Sequence, residues 1–217
     1  MPGDRLTPML PPLVGGILIG GASRRMGRPK ALLEWEGVTF LERIAAALQA
    51  VVPEIVLLGA TRELPSAVAH LPVVADRPGP RVTVGSQGPL LGLLAAFDFR
   101  PGAAWLILTC DQPRLTAATL RWLIAERRPG RIAVLPRRTA ACIEPFPGLY
   151  EPECRSALEA LAAPERRGSL QPLAGTTGVH VVPVPGRLAG ELDGVNTAEE
   201  LAELRRCAGG AHDPDGA

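Results

Sequence analysis

The stretch VGGILIGGASRRMGRPKALL, residues 14–33, predicts how the fold begins and what lies at the end of its first element. Residues 14–19 are apolar without polar alternation, which is typical of a strand buried on both faces of a parallel sheet. Its glycines are followed by four cations and no acid: Arg24, Arg25, Arg28 and Lys30. Because glycines let backbone N–H groups approach an anion closely, the loop 20–30 predicts a phosphate site. A solvent-exposed basic turn is the alternative.

Lys30 sets this loop apart, because it is the one lysine among 23 lysines and arginines. Lysine supplies a compact ammonium on a flexible stem, whereas arginine supplies a planar fork. The position of this lysine inside the glycine-rich loop favours a functional reason for it over chance. The spacing GGxxxRMGxxK is not a P-loop, since no GK[ST] follows, and it is not GxGxxG.

Strands and helices alternate after this loop. The predicted strands are 55–58, 72–74, 104–109, 132–135 and 179–184. The predicted helices are 39–50, a short 62–70, 88–99, 116–127, 152–161 and 197–206, with capping boxes at Thr39/Glu42 and Thr197/Glu200. This order predicts an α/β fold: three-layer and Rossmann-like, with a mostly parallel sheet and helices on both faces.

Size and composition predict one globular domain. The chain has 217 residues, 47% hydrophobic and 21% charged. We expect the domain to span 13–207, with flexible tails at 1–12 and 208–217. A net charge of +1 argues against nucleic acid or an anionic membrane as partner, and no apolar run is long enough for a membrane span. The four scattered cysteines are typical of reduced, mostly buried thiols in a cytosolic protein.

Asp111 is the second candidate functional residue. It stands in ILTCDQP, two residues past the predicted strand 104–109. Because the carboxyl ends of parallel strands meet at one edge of a sheet, it should lie beside the loop 20–30. A carboxylate there can hold Mg²⁺, which bridges phosphate oxygens; a turn-forming aspartate before Pro113 is the alternative. Loop and carboxylate together predict phosphoryl or nucleotidyl transfer.

Five motifs follow one another along the chain: LIGGASRRMGRPKALL, GPLLGLLAAF, TCDQP, FPGLYEPECRSALEAL with GSLQPL, and DGVNTAEELAEL. In this order they resemble the motifs of the molybdenum cofactor guanylyltransferases, a family of nucleotidyltransferases. The similarity runs from about residue 14 to 206. It implies a cytoplasmic, Mg²⁺-dependent enzyme that transfers GMP from GTP to the terminal phosphate of the molybdenum–molybdopterin cofactor and releases pyrophosphate, without a covalent enzyme intermediate.

The resemblance also implies roles for individual residues. Lys30, Arg25 and Asp111 are implied to be catalytic, with Asp111 on the metal. The nucleotide would contact Leu18, Gly20, Gly21, Arg24, Lys30, Asp76 and Asp111, and Asn196 would lie near the metal or the pterin phosphate. Residues 136–195 would bind the acceptor, and a molybdoenzyme or an accessory GTPase would be a further partner.

Departures from the family pattern keep alternatives open. Gln112 resembles the CTP-using branch of the family, whereas Gly21 resembles the guanine-selecting branch, and Gly194 stands where the family has an asparagine. The alternatives are a CTP-dependent molybdopterin cytidylyltransferase, a sugar-phosphate nucleotidyltransferase, and a non-catalytic nucleotide-binding partner of a molybdoenzyme. The basic pairs Arg137/Arg138 and Arg166/Arg167 are either pterin contacts or exposed solubilising charge.

Overall fold

The computed structural model describes residues 10–20, 28–60, 63–77, 88–140, 142–163 and 169–209. Its strands are β1 Leu13–Leu18, β2 Glu34–Trp35, β3 Val38–Thr39, β4 Ile55–Leu58, β5 Val73–Val74, β6 Ala104–Thr109, β7 Ala133–Arg137, β8 Gly148–Tyr150 and β9 Val179–Pro183. Its α-helices are α1 Phe40–Gln49, α2 Gly88–Phe99, α3 Ala117–Ala125, α4 Arg155–Leu161 and α5 Ala198–Gly209. Short 3₁₀ turns cover Lys30–Leu32, Ser66–Val68, Pro152–Cys154, Gln171–Gly175 and Gly186–Leu192.

Seven of these strands form one sheet in the order β5-β4-β1-β6-β8-β7-β9. Every neighbouring pair is parallel except the two that involve β8, which runs antiparallel to β6 and to β7. The mostly parallel sheet confirms the predicted fold class. Strands β2 and β3 form a separate hairpin.

Alternate residues of the central strand β6 belong to different layers of the core. Trp105 and Ile107 pack in a cluster with residues of α2 and α4, whereas Leu106 and Leu108 pack with residues of α1 and α3. A strand that is covered on both faces has no polar alternation, which is why its sequence reads AWLILT. The helices therefore lie on both faces of the sheet, as predicted.

Two capping boxes begin helices where the sequence predicts them. The Thr39 side chain accepts a hydrogen bond from the backbone N–H of Glu42, and the Glu42 carboxylate accepts one from the N–H of Thr39. Thr197 and Glu200 make the same exchange at α5. Each box satisfies N–H groups that the first turn of a helix leaves unpaired.

The structure corrects several local expectations. Neither β8 nor the β2–β3 hairpin is predicted, and the described part of the expected helix 62–70 contains only the turn Ser66–Val68. Two of the four cysteines, Cys142 and Cys207, are exposed, so the thiols are not mostly buried.

A few residues of each predicted tail make hydrogen bonds or belong to a helix. Helix α5 runs to Gly209, and the carbonyls of Pro11 and Pro12 accept hydrogen bonds from Arg127 and Ala104. The rest of the predicted tails, 1–9 and 210–217, lies outside the described residues. No helix in the described part of the chain is long and apolar enough to cross a membrane.

Candidate active site

Lys30 meets two oxygen-bearing side chains at the carboxyl edge of the sheet. Its Nζ lies 3.3 Å from Asp111 Oδ2 and donates a hydrogen bond to Asn196 Oδ1 at 2.5 Å. These residues come from three places in the chain: the turn after the glycine-rich loop, the end of β6, and the segment before α5. The side chains of Lys30 and Asp111 are 25% and 27% exposed, so an incoming ligand can reach them.

Hydrogen bonds hold both the side chain and the backbone carbonyl of Asp111. The hydroxyl of Thr109, the last residue of β6, donates to Asp111 Oδ1 at 2.5 Å. The Asp111 carbonyl accepts a hydrogen bond from the N–H of Val195 at 2.7 Å, which brings the neighbouring Asn196 to the site. One carboxylate oxygen therefore faces Lys30 while the other is fixed by the strand end.

Residue 194 is a glycine beside this cluster. A Cβ at Gly194 would lie 3.2 Å from Asn196 Nδ2 and 3.8 Å from the Asp111 carboxyl carbon. The family that this chain resembles has an asparagine at this position. With glycine instead, no side chain of residue 194 lies beside Asp111.

Side-chain contacts of three residues, Glu191, Gln112 and Arg138, fix the segment 186–196 that carries Asn196. Glu191 Oε2 accepts hydrogen bonds from the backbone and hydroxyl of Thr116 and from the Thr119 hydroxyl, at the start of α3. Gln112 Nε2 donates to the carbonyl of Leu192 at 3.0 Å. Arg138 binds Asp193 at 2.6 Å, and also Glu144 at 2.7 Å.

Gln112 is a structural residue in this fold. It is 5% exposed, and its Nε2 also donates to the carbonyl of Phe146 at 3.0 Å. Its amide thus ties together the loops before β8 and before α5. The side chain is not at the open surface of the site.

Asp76 lies in a second part of the site, lined by glycines. Its carboxylate oxygens lie 3.4, 3.6 and 3.1 Å from where a Cβ would stand on Gly20, Gly59 and Gly92. A Cβ at Gly59, where φ is +118°, would also lie 2.7 Å from the backbone nitrogen of Gly20. A Cβ at Gly92 would lie 2.5 Å from the Leu18 side chain. A side chain at Gly92 would crowd Asp76 and Leu18, and a side chain at Gly59 would collide with the backbone of Gly20, so these two positions require glycine.

Burial raises the pKa of Asp76 above its ordinary value of 3.8. A carboxyl group whose pKa is raised by folding contributes its full stability only below the unfolded-state pKa, and that contribution is lost as the pH rises through the folded-state pKa. Ionised Asp76 therefore costs stability at neutral pH.

We expect Asp76→Asn to raise the melting temperature at about pH 7, because the variant has no charge to desolvate. The gain should shrink at about pH 4, where a larger fraction of Asp76 in the folded protein is protonated. Thermal unfolding of both proteins at the two pH values measures this. A variant that is less stable than the wild type at neutral pH would contradict the assigned desolvation.

Cys110 is next to Asp111 but is not available as a nucleophile. Its thiol is buried, lies 3.3 Å from the Leu18 carbonyl, and has its pKa raised to about 12, first by burial and then by the charge of Asp111. A thiol with this pKa is protonated at neutral pH, and only a thiolate attacks efficiently.

The residues present fit a magnesium ion that binds together with phosphates. No group of three or more His, Cys, Asp or Glu side chains able to hold a metal occurs among the described residues. Mg²⁺ is usually bound by one or two carboxylates, with phosphate oxygens and waters completing its octahedron. Asp111, with the amide oxygen of Asn196 nearby, supplies such a partial donor set.

The structure brings together some of the sequence-predicted site residues. Lys30, Asp111 and Asn196 form one cluster, and Leu18, Gly20 and Asp76 lie together at the same edge of the sheet. Three predicted residues, Gly21, Arg24 and Arg25, lie outside the described residues, as do Arg166 and Arg167. The sequence analysis assigned no role to Thr109, Gly59 or Gly92. The positions of Gly59 directly after β4 and of Gly92 inside the apolar helix α2 were the sequence features that could have indicated a close approach of chain segments.

Two Bacillus proteins are similar to most of this chain. A Bacillus cytotoxicus protein named "Probable molybdenum cofactor guanylyltransferase" is 29% identical over 199 residues, which cover 90% of this chain and 97% of that protein. A Bacillus cereus protein of the same name is 27% identical over 159 residues, covering 72% of this chain and 77% of that protein.

Solved structures show the same fold. The molybdopterin-guanine dinucleotide biosynthesis protein A of Archaeoglobus fulgidus superposes with a TM-score of 0.70 at 20% identity, covering 91% of this chain and 99% of that one. Residues 15–179, about three quarters of this chain, match the model of the MobA-like NTP transferase domain. The chain belongs to the MobA-like NTP transferase family.

Proposed function

We propose that this protein is a Mg²⁺-dependent guanylyltransferase that transfers GMP from GTP to the terminal phosphate of the molybdenum–molybdopterin cofactor and releases pyrophosphate. The observation that carries this proposal is the meeting of Lys30 with Asp111 and Asn196, beside the glycine-lined Asp76. Membership of an NTP transferase family and the names of the Bacillus relatives support the substrate assignment.

The residues divide between the two ends of the nucleotide. The base and ribose would lie against Leu18, Gly20, Gly21 and Asp76, where glycine leaves room for close approach. The triphosphate would lie against Lys30 and, from the loop 20–30, Arg24 and Arg25. Asn196 faces both Lys30 and the acceptor side of the site.

The transfer is an in-line substitution at phosphorus. An oxygen of the acceptor phosphate attacks the α-phosphorus of GTP, the bond from that phosphorus to the α–β bridging oxygen breaks, and pyrophosphate leaves with the electron pair. Lys30 stabilises negative charge on the phosphates, and Asp111 supplies a metal ligand. Bound Mg²⁺ would supply further charge stabilisation and orient the phosphate oxygens. The protonated Cys110 is consistent with direct transfer, without a covalent enzyme intermediate.

The acceptor is assigned to the region 136–195, within a single domain spanning 13–207. The carboxyl ends of β6, β7 and β9 face the same edge of the sheet there, since all three strands run in the same direction. Arg138 is already paired with Glu144 and Asp193, so its role is to hold the segment before Asn196. The recipient molybdoenzyme, the accessory GTPase and the cytoplasmic location remain predictions.

We favour guanine over cytosine because Gln112, the residue that resembles the CTP-using branch, binds the protein backbone. Gln112 is buried, and its Nε2 donates to two backbone carbonyls, so this nitrogen is not free to contact a base. The resemblance at Gly21 supports GTP.

Pyrophosphate release from GTP, CTP, UTP and ATP, each with Mg²⁺ and with or without the molybdenum–molybdopterin acceptor, tests the proposal. We expect release only with GTP and acceptor together. Release with CTP in place of GTP would identify a cytidylyltransferase. GTP binding without release would identify the non-catalytic alternative, and use of a sugar phosphate as acceptor would overturn the pterin assignment.

A further inference from the structure

Helix α5 packs against two of the three chain segments that form the cluster around Lys30, the one after Lys30 and the one before Asn196. A small apolar cluster joins them: Leu33, Phe40, Val195, Leu201 and Leu204, with Trp35 packed against it. Leu33 is three residues after Lys30, and Val195 directly precedes Asn196. The helix thus forms the common support of two segments that are far apart in sequence.

Arg205 adds a directional contact between α5 and the Lys30 segment. Its Nε and Nη2 both donate to the carbonyl oxygen of Glu34, at 3.3 and 2.8 Å. Glu34 is the first residue of β2, so the Arg205 guanidinium binds the chain four residues after Lys30. Both donors converge on one oxygen, so the contact ties the last turns of α5 to the start of β2.

The other end of the helix holds Asn196. Glu200 Oε2 accepts hydrogen bonds from the N–H groups of Asn196 and Thr197, at 2.5 and 3.1 Å. The Val195 N–H is bound to the Asp111 carbonyl in the same stretch. Asn196 is therefore fixed both to the first turn of α5 and to the end of β6.

We propose that α5 is a positioning element of the active site, in which Arg205 orients the Lys30 segment and Glu200 orients Asn196 toward Lys30. The consequence for catalysis rests on the proposed function, whereas the positioning itself does not. Arg205 and Glu200 touch none of the reacting groups and act through Lys30 and Asn196. Since a misplacement of about 1 Å can cost up to a hundredfold in rate, we expect Arg205→Ala to lower kcat/KM for GTP roughly tenfold.

The single lysine of the chain provides a direct readout. Protein labelled with ¹⁵N and ¹³C in lysine gives one side-chain ammonium signal in an NMR spectrum, that of Lys30. We expect this signal to move toward the free-lysine position in Arg205→Ala. The matched control is Arg206→Ala, in the same helix. The Arg206 side chain is exposed and makes no hydrogen bond or ion pair with the described part of the chain.

Conservative variants separate positioning from loss of helix stability. Arg205→Lys keeps a hydrogen-bond donor, and Glu200→Gln keeps an acceptor. Each should therefore have a higher kcat/KM than the alanine variant at the same position when the two variants have equal melting temperatures. A Lys30 signal that stays unmoved in Arg205→Ala overturns the inference. Absence of pyrophosphate release by the wild type would instead overturn the proposed function, and the Lys30 signal would still decide whether α5 positions Lys30.

Discussion

Asp111→Ala is expected to lower Mg²⁺-dependent pyrophosphate release by on the order of a thousandfold or more, because it removes the proposed acidic metal ligand. The remaining partners of the cluster, Lys30 and Asn196, offer an ammonium and an amide. Neither replaces a carboxylate as a ligand for a hard divalent cation. Steady-state rates with GTP and acceptor across a range of Mg²⁺ concentrations measure the loss.

The fold should survive this substitution. The Asp111 side chain is partly exposed, and the contact of its backbone carbonyl with Val195 does not depend on the side chain. A matched control is Glu54→Ala, which breaks the Glu54–Arg100 ion pair of 2.8 Å at the opposite edge of the sheet. It should keep activity within about twofold, since exposed ion pairs contribute little. Full Mg²⁺-dependent activity in folded Asp111→Ala protein would remove Asp111 from the mechanism.

Lys30→Ala is expected to weaken GTP binding by roughly 10- to 100-fold and to lower turnover as well. A charge-assisted hydrogen bond to phosphate contributes about 1.5–3 kcal/mol, and the ammonium also stabilises charge that develops during transfer. Calorimetric titration of GTP with Mg²⁺ separates the binding effect from the rate effect.

Lys30→Arg tests whether charge alone is sufficient. Arginine keeps the positive charge but replaces a compact ammonium by a planar fork, so it should not place a donor on Asn196 at 2.5 Å as lysine does. We expect partial rescue of binding and little rescue of turnover. Arg100→Ala, which breaks the same distant ion pair as Glu54→Ala, is the control for loss of a cation. Unchanged GTP affinity in Lys30→Ala would contradict the phosphate role.

Continuous apolar runs made parts of the fold predictable to the residue. Strands β4 and β6 and helix α2 have the bounds that the sequence predicts, because each is apolar almost throughout and each is bounded by turn-forming residues. α2 shows no polar face because most of its side chains are buried.

β8 and the β2–β3 hairpin could not be predicted, because no strong local pattern indicates either of them. β8 has only three residues, Gly148–Tyr150, and it exists because β6 and β7 bind it on either side. The β2–β3 hairpin turns at Glu36 and Gly37, where φ is +52° and +74°. Asn-Gly or Asp-Gly is the strong signal for such a turn, and Glu-Gly is a weak one.

The two halves of the candidate site differ in how far the sequence predicts them. Lys30 and Asp111 follow parallel strands, and the carboxyl ends of parallel strands meet at one edge of the sheet, so the sequence pattern is sufficient to bring them together. Asn196 is 166 residues from Lys30 along the chain. Its place depends on contacts made by Glu191, Gln112 and Arg138, whose pairings no local pattern indicates, so only the family resemblance pointed to it.

A crystal structure of the protein with a non-hydrolysable GTP analogue and Mg²⁺ tests the central claim most directly. We predict that the triphosphate lies against Lys30 Nζ, with the metal on the Asp111 carboxylate and the guanine base on the Asp76 side. A nucleotide bound away from both Lys30 and Asp111 would contradict the account.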